Sequence, residues 1–148
     1  MWFLLLLLLL KTVLASTDVE IVSNTTTFIV GGTPALPGAF PWFVADARAS
    51  RPSCGGSLIH PQAVLTAAHC LGFFRNVRIN ATRTGRDGTV HRIRQEIAHP
   101  LYCDTSRRLL HDVALLILNE PVVNATLVSL NTNASIPLDG QDLIVMGF

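Results

Sequence analysis

The chain has 148 residues, a formal net charge of +1, 14% charged residues and 49% apolar ones. An apolar share that large excludes a disordered polar chain, and the length is enough for one domain with a packed core. The near-neutral charge without a basic block argues against a nucleic-acid partner. The densest basic stretch, Val90-His91-Arg92-Ile93-Arg94, alternates with apolar residues as a half-exposed strand does.

The first segment is predicted to be a targeting signal. An apolar run reaches Leu10, Lys11 interrupts it, and Val13-Leu14-Ala15 fits the small-residue cleavage pattern. The expected signal peptide is therefore residues 1–15. The run is too short to cross about 30 Å of hydrocarbon, so no membrane association is expected and the protein is expected to be secreted and extracellular. Asn-X-Ser/Thr triplets at Asn24, Asn80, Asn124 and Asn133 suit a glycosylated secretory protein. An oxidising compartment also favours disulfides over free thiols.

From Ser16 to Thr27 the chain is polar and aperiodic. Its texture changes at the stretch FIVGG. Short apolar runs then alternate with Gly, Pro, Asn and Asp. Strands are predicted at 41–46, 55–61, 63–67, 76–82, 89–98, 113–118 and 142–148, with no helix of useful length. Many short strands with regular turns imply an all-β barrel or sandwich. The run VALLIL, 113–118, does not alternate, which predicts a strand buried on both sides.

Two places invite chemistry. In LTAAHC, 65–70, one of five histidines precedes one of three cysteines. Such a pair suits a metal site, a redox site, or a catalytic base held by a disulfide. Metal ligation lacks support in the spacing, since no C-x₂₋₄-C or H-x₃₋₅-H pair occurs. In His111-Asp112, a carboxylate stands at the mouth of the apolar VALLIL run. That is costly unless donors satisfy it, so Asp112 is expected to have a partner.

Five motifs occur in order: IVGG (29–32), PW (41–42), CGGSLI (54–59), LTAAHC (65–70) and HDVALLIL (111–118). Together they resemble the chymotrypsin/trypsin family of serine proteases, over Ile29 to Phe148. The resemblance implies a trypsin-like Greek-key β-barrel, the first of the family's two barrels, over residues 29–148. It also implies a propeptide at 16–28 and a zymogen cut between Phe28 and Ile29. An activating protease would make that cut, and Phe28 stands where many relatives have Arg or Lys. His69 is implied as general base and Asp112 as its orienting carboxylate, 43 residues further on. Cys54 is implied to pair with Cys70, leaving Cys103 odd. The implied activity is hydrolysis of protein or peptide substrates without cofactor or metal.

The family's nucleophile lies in a GDSGGP motif, which these 148 residues do not contain. Ser57 of CGGSLI matches a structural serine of the family. The expectation is therefore an N-terminal portion of a serine endopeptidase, inactive alone. The alternative is a catalytically inactive secreted homologue that acts as a binding protein.

Overall fold

A computed structural model describes residues 32–47, 54–83, 86–105 and 108–148. The expected signal peptide, the propeptide, the Phe28–Ile29 junction and Asn24 lie outside the described residues. The fold is all-β. In chain order the strands are β1 (Phe43–Asp46), β2 (Gly55–His60), β3 (Ala63–Thr66), β4 (Asn76–Ile79), β5 (Thr89–Ala98), β6 (Cys103–Thr105), β7 (Arg108–Leu110) and β8 (Ala114–Leu118). A 3₁₀ turn, Ala68–Cys70, follows β3. Six strands close a barrel in the order β1-β2-β3-β8-β5-β4, every neighbouring pair antiparallel.

Alternation explains the closure. Val44, Leu58, Val64, Val77, Ile79, Leu116 and Leu118 point inward and are fully enclosed. Each such side chain stabilises the fold by about 1.5–3 kcal/mol relative to exposure. β2 returns into β3 through Pro61-Gln62, where the fixed φ of proline suits a tight turn. β2 and β3 also approach too closely for a side chain at Gly56. A Cβ there would lie 2.5 Å from the Leu65 carbonyl oxygen and 2.8 Å from Val64 Cγ1.

Three sequence expectations need correction. The run VALLIL is not buried on both sides. Ala114, Leu116 and Leu118 face the core, whereas Leu115 and Ile117 are only half-covered, because the barrel has one interior. The stretch 142–148 pairs with no strand. Leu143, Ile144 and Val145 are exposed, Met146 is half-buried, and the Phe148 ring meets Phe43 edge-on with centroids 5.5 Å apart. Strand propensity without a partner ladder gives no strand. The strand expected over 76–82 ends at Ile79, since Asn80 takes the left-handed conformation (φ 54°) that asparagine tolerates and a strand does not. The small hairpin β6–β7 has exposed residues throughout and too little apolar alternation to announce itself.

Candidate active site

The site forms where β3 and β8 run side by side, with Thr66 opposite Ala114. β3 ends at Thr66, whose Oγ1 donates to the Gly55 carbonyl at 2.7 Å and ties the strand end to β2. Ala67 stays extended, and the chain then tightens into the 3₁₀ turn carrying His69. Ala68 and Cys70 flank the histidine and are buried, so the turn is pinned on both sides of it. Cys70 is bonded to Cys54, with α-carbons 6.0 Å apart and a sequence separation of 16. Closing a loop of that length is worth about 3 kcal/mol in the chain-entropy view. Glu96 on β5 holds the far side of the turn, its carboxylate accepting the Gly72 N–H at 2.8 Å.

Asp112 arrives from the other strand. His111 adopts φ 51°, in the left-handed region, and its carbonyl accepts the Val113 N–H at 2.8 Å. This three-residue bend has Asp112 at its centre. The bend is braced from β5, because the His99 N–H donates to the Val113 carbonyl at 2.9 Å. The His99 and His111 rings stack with centroids 4.9 Å apart.

The two candidate residues meet through two contacts. Asp112 Oδ1 accepts the backbone N–H of His69 at 2.8 Å, and Oδ2 lies 2.7 Å from His69 Nδ1. The hydrogen bond from the His69 ring is the main reason the Asp112 carboxyl sits below its ordinary pKa of 3.8. The His69 and Ala68 backbone amides add to the effect, while partial burial opposes it. An ionised carboxylate only accepts, which assigns the proton to Nδ1. Nε2 is then left with a basic lone pair on a side chain that is 49% exposed. Such an imidazole can take a proton from a neighbouring group and return it, with its ring and tautomer fixed from behind.

Cys54, His69 and Cys70 also place their donor atoms within 4.8 Å of one another. Metal ligation would require thiolates, and the two sulfurs are bonded to each other, so this donor set does not fit a metal ion. Cys103 is a free, exposed thiol on β6. Asn80, Asn124 and Asn133 are all exposed. Sequence reasoning missed Thr66, Glu96 and the His99–His111 stack. Each acts through a contact distant in sequence, and no local pattern marks it.

The trypsin family model matches residues 29–148. The human protein named transmembrane protease serine 5 is 39% identical over 60% of this chain and 21% of its own length. Mouse serine protease 28 is 35% identical over 92% of this chain and 54% of its own length. Among solved structures, mouse neuropsin, titled a serine protease expressed in the limbic system of the brain, superposes with a TM-score of 0.55 and 29% identity. It covers 62% of this chain and 42% of its own. The chain thus spans at most about half the length of these relatives. A closed six-stranded barrel and a family match over 29–148 lead to one conclusion: the chain belongs to the trypsin family of serine proteases.

Proposed function

We propose that residues 29–148 supply the base half of a serine endopeptidase, with His69 as general base and Asp112 as the carboxylate that orients it. The observation that supports this most is the double contact of Asp112 with the His69 amide and Nδ1. A hydroxyl nucleophile needs such a base near neutral pH, and the carboxylate stabilises the imidazolium as it forms. The nucleophile itself, and the amides that would bind the oxyanion, belong to a second barrel that a full-length product would carry. On this view the protein is secreted after loss of residues 1–15 and glycosylated at Asn24, Asn80, Asn124 and Asn133. It is stored as a zymogen until cleavage between Phe28 and Ile29. Phe28 makes an aromatic-preferring protease the fitting activator, because a trypsin-like one selects Arg or Lys. Its substrates are proteins or peptides, cleaved through an acyl-enzyme.

The test is hydrolysis by the full-length product. After cleavage before Ile29 it is expected to turn over peptide amides, with a pH profile whose acidic limb reports the protonation of one imidazole. The uncleaved form is expected to be inactive. Full activity before cleavage would remove the zymogen assignment. A reading frame whose second barrel lacks the serine would replace the enzyme with a binding homologue.

A further inference from the structure

Six of the chain's eleven basic residues fall between Arg75 and Arg94, together with one of its ten acids, Asp87. This stretch is therefore net positive by five charges, while the rest of the chain is net negative by four. Read linearly, only Arg92 and Arg94 look like a basic patch. The β4–β5 pairing adds to them. Asn76 sits opposite Arg92 and Arg78 opposite Val90, so Arg78 is the diagonal neighbour of Arg92. Diagonal neighbours lie about 7–8 Å apart. Arg94, exposed like Arg92, stands two residues further on, at the bulge between Ile93 and Gln95. Arg83 and Arg86 are exposed in the connection between the strands, and Arg75 is exposed just before β4.

The nearby acids are otherwise engaged. Both oxygens of the Asp87 carboxylate accept backbone N–H groups, from Thr82 at 3.0 Å and Arg83 at 2.9 Å. Glu96 is committed to Gly72. Glu120, just past β8, lies beside both His91 and Arg92 and forms no ion pair with either. Arg78 donates to the Asp87 carbonyl at 2.8 Å. The guanidinium groups of Arg75, Arg83, Arg86, Arg92 and Arg94 have neither an ion pair nor a hydrogen bond with any described residue. This surface is separate from the candidate active site. Ala98, at the other end of β5, pairs with Ala114 beside Asp112, and Arg92 lies about 20 Å back along the strand.

We propose that the outward face of β4 and β5 binds a sulfated polysaccharide. No Phe, Tyr or Trp occurs between Arg75 and Arg94. The face thus offers no aromatic anchor for a folded protein partner and no ring on which a nucleic-acid base could stack. What it offers is a cluster of exposed, weakly hydrated guanidinium forks. These suit a flexible chain that carries sulfates and carboxylates on successive sugars.

Binding of a heparin-derived octasaccharide to the chain, at about 0.15 M NaCl and at higher salt, tests this. The chain is expected to bind, with affinity falling steeply as salt rises. The double variant Arg92→Glu/Arg94→Glu should weaken binding at least about ten-fold through lost counterion release. Arg108→Glu, on exposed β7, should leave it unchanged. Absence of binding, equal loss with Arg108→Glu, or tighter binding of a polyglutamate peptide or a single-stranded DNA of matched charge would overturn the proposal. Should the double variant misfold, phenylglyoxal labelling of the unaltered chain decides. The octasaccharide should shield Arg92 and Arg94, and labelling that it leaves unchanged would count against the proposal.

Discussion

Asp112 is the residue on which the most rests, because its two oxygens hold both the backbone and the ring of His69. Replacing it with Asn keeps the size but offers an amide that can donate, so the ring can flip to the tautomer with its proton on Nε2. In a full-length enzyme, Asp112→Asn is expected to lower kcat by roughly 10⁴, the general cost of this change in a Ser-His-Asp triad, which steady-state kinetics would read. The same carboxyl also gives a pH dependence. Its pKa is depressed in the folded protein, so its contribution to stability is complete above the ordinary 3.8 and fades as pH falls through the lower folded value. The stability difference between the native chain and Asp112→Asn should therefore shrink once pH falls below about 4, and not above it. Denaturant unfolding across the acid range measures it. A difference that shrank between pH 7 and 5 would mean that another group carries it.

At the scale of elements, the barrel was largely legible because its strands alternate. The segments 55–60 and 63–66 carry their inward residues every second position, and 89–98 does so on either side of a bulge between Ile93 and Gln95. The stretch 142–148 misled because propensity says nothing about whether a partner strand exists. His69 and Asp112 were legible because they sit in motifs of the trypsin family, whereas Thr66 and Glu96 were not, since their contacts cross between strands. The adjacent glycines in CGGSLI have a packing reason that the sequence alone could not supply. Gly56→Ala would drive a Cβ into the Leu65 carbonyl of the next strand. Backbone on that side cannot yield as a flexible side chain can, so a loss of at least about 1–3 kcal/mol is expected in urea unfolding. The bridge between β2 and the His69 turn acts at the same scale. The double variant Cys54→Ser/Cys70→Ser is expected to lose about 3 kcal/mol. It should also raise amide hydrogen exchange across 67–72 more than in β4. Uniform exchange would mean that the disulfide stabilises the chain without holding the turn.

Across the whole molecule, charge and apolar surface are unevenly placed. The basic face of β4–β5 lies along one side, and the His69–Asp112 end of β3 and β8 lies away from it. Beyond the barrel, Leu138, Leu143, Ile144 and Val145 stand exposed on either side of the Asp139-Gly140 turn, an apolar surface of the kind that another structural unit covers. Relatives roughly twice the length of this chain have room for such a unit. On the proposal made above, His69 serves as the base for a serine supplied by such a unit. Labelling of the full-length, Ile29-cleaved product with a fluorophosphonate probe tests it most directly. Rapid labelling of one serine outside residues 1–148 is expected, with its loss in His69→Ala. Labelling of His69→Ala at the native rate, or of a serine within these 148 residues, would contradict it.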